Sequence, residues 1–241
     1  MPRIKLTIEY DGTEYFGWQF QNNQRTIQEE IEKALSIIFR ENIRITGAGR
    51  TDSGVHARNQ VAHADIPERD LSGLKRSLNG ILDKDIVIKE IDECETDFHA
   101  RYDATSRLYR YYVSQSPTAI SRRYTWTVHS KLNLMLMQNG AEIIRGTEDF
   151  RSFCKVKSEV KHHRCEIHRS EWLFREGFLV YEIAANRFLH GMVRAITGAL
   201  IELGRGKITL MDLRKIIKSG DRGMVPYTAP AHGLFLENIQ Y

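Results

Sequence analysis

The chain holds little that would suit a secreted, membrane-bound or nucleotide-driven protein. Only three of its 241 residues are cysteine, Cys94, Cys154 and Cys165. They are too few and too scattered for a disulfide framework, which points to a reducing, cytoplasmic setting. No apolar run is long enough to span a bilayer. The opening stretch MPRIKLTIEY enters a strand-like alternation directly, which predicts neither a signal peptide nor a transit sequence. Gly47-x-Gly49-x-x-Asp52 lacks the third small residue of a dinucleotide fingerprint, and an aspartate there would repel a pyrophosphate. Gly204-Arg205-Gly206-Lys207 has the wrong spacing before its lysine for a P-loop. Neither ATP nor NAD is expected.

What is present is the mixture of an ordinary globular chain, 41% hydrophobic and 27% charged, in a length that suits one large domain or two smaller ones sharing a core. A net charge of +4 makes nucleic acid a better partner than a cationic ligand. Ile4, Leu6, Ile8 and Tyr10 alternate with polar residues as a half-buried strand does. Thr26-Ile27-Gln28-Glu29 reads as a capping box, and Ile27, Ile31, Leu35 and Ile38 carry helical spacing to about Arg40. Residues 43–45, 61–66 and 86–91 read as strands and 71–82 as a helix. In the second half, 132–144, 188–203 and 210–218 read as helices, and 167–174, 179–184 and 234–239 as strands. Strands in twos between helices predict an α+β chain of two subdomains with antiparallel sheets, over residues 1–105 and 106–241, and not a doubly wound parallel sheet.

Four stretches carry candidate chemistry. In GAGRTDSGVHARNQVAHAD (residues 47–65), glycines frame Arg50, Thr51 and Asp52. Asp52 has two readings here: a turn aspartate bonding its own backbone, or a fixed carboxylate beside a guanidinium. The second arrangement keeps a carboxylate ionised, which suits a nucleophile or general base and not a general acid. No second glycine-framed carboxylate offers the pair that a glycosidase needs. In SRLYRYYVSQS (residues 106–116), Arg107, Tyr109 and Tyr111 share one strand face. They read either as a buried aromatic face or as a tyrosine that stacks on a base with arginines that meet phosphates. In ANRFLHGMVRAITGAL (residues 185–200), Phe188, Met192, Ile196 and Leu200 form a core stripe, with Arg194 half a turn off it, facing solvent or a cleft. Cys154, His162, His163, Cys165 and His168 hold metal-ligand side chains without the paired spacing of a zinc site, in a basic segment better suited to a polyanion.

Together these motifs resemble the tRNA pseudouridine synthase A family over nearly the whole chain. The matching stretches are IEYDGTEYFGWQ (8–19), GAGRTDSGVHARNQVAH (47–63), FHARYDATSRLYRYYV (98–113), ANRFLHGMVRAITG (185–198) and APAHGLFL (229–236). The resemblance implies two α+β subdomains with mixed, mostly antiparallel sheets joined across a central catalytic cleft. It implies a homodimer that isomerises uridine to pseudouridine at about positions 38–40 of the tRNA anticodon arm, on a base flipped out to be reached. It implies no metal and no organic cofactor. Asp52 matches the catalytic aspartate, Tyr109 the tyrosine that packs on the target base, and Arg194 the arginine that pairs with the carboxylate. Leu234 matches the apolar pocket floor, and Arg50 an arginine that holds the flipped-out geometry or contacts the backbone. Arg58, Lys155, Lys157, Lys161 and Arg205 are expected to contact phosphates.

Overall fold

The computed structural model describes residues 1–155 and 161–241. The chain divides into two compact units, one of Met1–Thr105 with Phe235–Tyr241, the other of Ser106–Leu234. Both mix helices with a mostly antiparallel sheet, so the chain has the α+β class expected from its element order.

In the first unit, strand β1 (Arg3–Tyr10) buries Ile4, Leu6, Ile8 and Tyr10, as the alternation requires. Helix α1 (Ile27–Phe39) follows, with Ile27, Ile31, Ala34 and Leu35 inward. Thr26 caps it by accepting from Glu29 N at 3.4 Å. The other half of the expected capping box is not made, because the Glu29 carboxylate pairs with Lys33 one turn on, at 2.9 Å. Residues 43–45 do not form the expected strand. Both backbone groups of Ile45 are taken by α1 side chains: its N–H donates to Glu32 Oε1 at 3.1 Å, and its carbonyl accepts from Gln28 Nε2 at 3.2 Å. The short strand β2 (Thr46–Gly47) begins just after and pairs with β3 (His56–Asp65).

Helix α2 (Leu71–Ile81), capped by Asp70, and strand β4 (Ile86–Cys94) complete this part. β1 runs antiparallel to both β3 and β4. The last strand of the chain, here called β9 (Leu234–Gln240), returns to pair in parallel with β3 at His56 and Ala57. Tyr241 then pins the chain end by donating from its hydroxyl to Ala100 O at 2.9 Å.

In the second unit, strand β5 (Ser106–Ser114) pairs antiparallel with β8 (Phe178–Ala185), which pairs antiparallel with β7 (Ile167–Arg175). Two residues, Trp126–Thr127, form β6 alongside β5. Helix α3 (Leu134–Arg145) lies on β7, with Ser170 Oγ donating to Ala141 O at 2.8 Å and Trp172 N to Gln138 Oε1 at 3.0 Å. Helix α4 (Met192–Gly204) is buried along almost its whole length. Its neighbour α3 comes so close that a Cβ on Gly140 would lie 2.6 Å from Leu203. Helix α5 (Leu210–Ser219) starts with a complete capping box between Thr209 and Asp212. Among the described residues no helix is long and apolar enough to cross a membrane.

One buried base sets a pH limit on the first unit. His63 is buried on β3, and its Nδ1 accepts from Ala100 N at 3.1 Å, a bond that protonation of that nitrogen would remove. Burial, then the charges of His99 and Arg3, lower its pKa below the ordinary histidine value. The unfolded chain therefore takes up a proton near pH 6.5 that the folded chain refuses, so this stabilisation is complete above that pH and is lost as pH falls. We expect the urea midpoint to drop between about pH 7 and 5, and the drop to shrink in a His63→Gln variant. A native midpoint that is flat across that window would refute the assignment.

Candidate active site

The loop that carries Asp52 is built by backbone contact with the segment after β1. Gly17 sits at φ +90°, and a Cβ on it would lie 2.5 Å from Thr51 O. A Cβ on Gly12 would lie 2.0 Å from Val55 O. Across this contact Trp18 N donates to Thr51 O at 3.2 Å, and Gly54 N and Ser53 Oγ both donate to Tyr15 O at 3.2 Å. Asp52 opens a tight turn in which Val55 N donates to Asp52 O at 3.1 Å, with Gly54 at φ +75° in the third position that a type II turn demands.

Below the loop is a buried polar network. The Tyr10 hydroxyl and Thr51 Oγ1 are 2.8 Å apart, and Gln60 Nε2 donates to Gly49 O at 2.9 Å and reaches Tyr10 Oη at 3.5 Å. Burial pushes the Tyr10 pKa up, so its hydroxyl stays protonated. His56, also buried, accepts from Gly12 N at 3.1 Å and stacks on Phe235 at 4.6 Å. Thr51 is buried between its neighbours, whereas Asp52 is half-buried and Arg50 exposed. Among the described residues Arg50 makes no ion pair or hydrogen bond through its guanidinium, so it is not the salt-bridge partner that the sequence suggested for Asp52.

Tyr109 lies on the helix-covered face of β5, opposite Ile183, and is buried. Phe188 meets its ring edge-on, with centroids 5.2 Å apart and planes at 87°. This corrects the expected helix over 188–203. Gly191 at φ +70° starts α4 only at Met192, and Phe188, which precedes it, packs on Tyr109 in place of joining the stripe. The arginines of β5 have partners within the unit. Arg107 donates to Asn186 O, and Arg110 meets the fully buried Glu182 at 2.7 Å together with Arg169 and Arg175. Burial raises the Glu182 pKa, but these guanidiniums outweigh it and hold the carboxyl below its usual range.

Arg194 is half-buried on α4 and does not stand free in solvent. Its Nε donates to Ala229 O at 2.8 Å, and Ala229 N donates back to Arg194 O at 3.0 Å. Beside it Tyr111 donates to Pro230 O at 2.8 Å, and Leu234, 4% exposed, begins β9. Of the expected phosphate contacts, Arg205 is tied to Glu202 at 2.6 Å and Ser130 at 2.9 Å. Arg58 pairs with Glu237 at 3.3 Å and lies over the Phe235 ring. Lys155 and Lys161 are exposed, and Lys157 lies outside the described residues.

Sequence reading gave no role to Tyr10, Gln60 or Ala229, whose contacts join residues far apart in the chain. Among the described residues no group of three or more His, Cys, Asp or Glu could hold a metal ion. Cys165, whose thiol burial pushes up to about 11, lies 3.9 Å from the Met192 sulfur. His168 meets Ser106 at 3.3 Å, and His162 meets Arg187 at 3.3 Å.

A family model described as tRNA pseudouridine synthase matches residues 6–103 and 141–241. The curated relatives include several that carry the name tRNA pseudouridine synthase A. The one from Azobacteroides pseudotrichonymphae is 40% identical over 242 residues, covering 100% of this chain and 97% of its own. The one from Bacteroides thetaiotaomicron is 41% identical, covering 100% and 91%. The one from Ruminiclostridium cellulolyticum is 43% identical, with both chains covered at 100%. Among solved structures a dye-decolorizing protein from V. cholerae aligns over 94% of this chain and 89% of its own at a TM-score of 0.19 and 11% identity, too distant to bear on the fold.

The loop contact can be tested directly. Gly17→Ala places a methyl group against Thr51 O and forces a left-handed φ on alanine, and we expect it to destabilise the chain by about 1–3 kcal/mol. Tyr10→Phe leaves the loop's shape but removes the hydroxyl from Thr51 and Gln60, at a cost of about 1–2 kcal/mol in urea unfolding. Native-like midpoints for both variants would show that the loop is not held from below.

Proposed function

The chain belongs to the tRNA pseudouridine synthase family and is an isomerase, and on that premise we propose that it converts uridine to pseudouridine at about positions 38–40 of the tRNA anticodon arm. The observation that carries this reading is the state of Asp52. Asp52 is half-buried at the head of a turn whose other members, Ser53, Gly54 and Val55, and whose preceding residue Thr51, are pinned by hydrogen bonds or close backbone contact. An acid placed in that way meets a substrate in one geometry, which is what a nucleophile or base needs.

The reaction breaks the N1–C1′ bond of the target uridine, turns the uracil and joins C5 to C1′. The hydrogen leaves C5 and N1 gains a proton, so the product is an isomer of the substrate. We assign Asp52 the covalent or proton-abstracting step. Tyr109, its ring held edge-on by Phe188, is assigned to pack on the base and assist removal of the C5 proton. Arg194, held on Ala229, is assigned to pair with the catalytic carboxylate, with Leu234 lining the pocket and Arg50 contacting the RNA strand. No metal or organic cofactor enters these steps. The free cysteines support a reducing cytoplasmic setting, and the homodimer rests on family membership.

Tritium release from C5-labelled uridine in an unmodified tRNA transcript tests the reaction, since C5 must give up its hydrogen. The native protein is expected to release it and Asp52→Asn to release none, while the variant binds tRNA within about tenfold, or 1.4 kcal/mol, of the native protein. A binding loss far larger than that would make Asp52 a structural residue. Tyr109→Phe is expected to bind normally and turn over slowly, and a native rate would remove its proton role. Free uracil among the products would point to hydrolysis.

A further inference from the structure

The segment between α5 and β9 is fastened down at close intervals. Asp221 accepts from Gly223 N and so caps a short turn over Arg222–Met224. Gly198 of α4 leaves no room for a side chain beneath Tyr227, whose carbonyl oxygen would stand 2.2 Å from a Cβ. Ala229 exchanges two hydrogen bonds with Arg194, and Pro230 O accepts from Tyr111. At the start of this strap stands Arg222, half-buried, with NH2 donating to Thr228 Oγ1 at 2.6 Å. Two guanidiniums are therefore anchored on consecutive residues, Arg222 on Thr228 and Arg194 on Ala229.

Among the described residues Arg222 has no carboxylate partner; Arg122, Arg123, Arg145, Arg164 and Arg214 of the same unit have none either but are exposed, whereas Arg222 is half-buried with a fixed hydroxyl partner. Burial, and then the charge of Arg194, pull the Arg222 pKa below the ordinary arginine value. A partly desolvated guanidinium beside a like charge is costly unless an anion completes it. The hydroxyl of Thr228 fixes one edge of the guanidinium, and the remaining N–H groups match the oxygens of a phosphate.

We propose that Arg222, aimed by Thr228, binds one phosphodiester of the substrate RNA. Because Arg194 is assigned to the catalytic set, the phosphate held beside it is one that flanks the target uridine. The contact fixes the strand's register and reads no base. It deepens the isomerase reading above and rests on it.

The test is equilibrium binding of an unmodified tRNA transcript over a series of salt concentrations. Arg222→Gln is expected to bind roughly tenfold more weakly, with a slope of log affinity against log salt shallower by about 0.7–0.9, the share of one phosphate. Arg222→Lys is expected to keep the native slope while binding severalfold more weakly, because an ammonium lacks the planar fork. Native affinity and slope in Arg222→Gln overturn the proposal. So does a loss that is the same at every salt concentration and accompanies a lower unfolding midpoint, which would make Arg222 a staple of the strap. If Arg222→Gln does not fold, Thr228→Val takes its place: severalfold weaker binding at low salt is expected, and native affinity overturns the site. Tritium release by the native protein on the same transcript separates the two readings. Its absence overturns the isomerase, and its presence with an unaltered Arg222→Gln overturns the phosphate site alone.

Discussion

The first unit depends on two stretches of backbone touching with no side chain between them. Gly12 and Gly17 lie against Val55 and Thr51 at distances that any Cβ would violate. That approach lets Trp18, Ser53 and Gly54 complete their hydrogen bonds across the gap and leaves Asp52 half-buried at the head of the turn. The network of Tyr10, Thr51 and Gln60 supports the loop from the core, and its hydroxyls and amide are satisfied by one another and by the backbone of Gly49 and Val61 in surroundings where an orphan would be expensive. The backbone that carries Asp52 is thereby fixed by folding.

The second unit solves a related problem with a helix. α4 is almost wholly buried, so the one long cation on it, Arg194, needs a partner in place. The strap supplies it through the carbonyl of Ala229, while Gly198 admits the strap to the helix surface. Tyr111, under the same strap, has its pKa raised chiefly by burial and spends its hydroxyl on Pro230.

Charge is used in a similar way. The net charge is only +4, and much of the arginine is committed internally. Three guanidiniums surround Glu182, one neutralises Glu202, and Arg58 lies over Phe235 with Glu237 beside it. In the tyrosine-arginine strand the arginines meet a buried acid and a backbone carbonyl, and the tyrosines are largely buried. Residues that look free for RNA are recognisable only once these internal pairs are known, and among the described residues Arg222 is half-buried with a threonine hydroxyl, and no carboxylate, as its partner.

The sequence by itself determined the element types, the α+β class and the glycine-framed aspartate, because alternation, helical spacing, caps and glycine punctuation are local and act within one turn or strand. Its motifs also sufficed to identify the family. The strand expected at residues 43–45 failed for a reason no local pattern contains, since Glu32 and Gln28 reach across from α1 to take both backbone groups of Ile45. The helix expected from Phe188 begins only at Met192, after the left-handed Gly191, and Phe188 instead packs on Tyr109, some 80 residues earlier in the chain. Only the tertiary structure decided that β9 returns to the first unit, that Gly17 touches Thr51, and that Arg194 and Arg222 rest on adjacent residues. Each of these depends on packing between residues distant in sequence, where what matters is the space left between two backbones and the charge left unpaired.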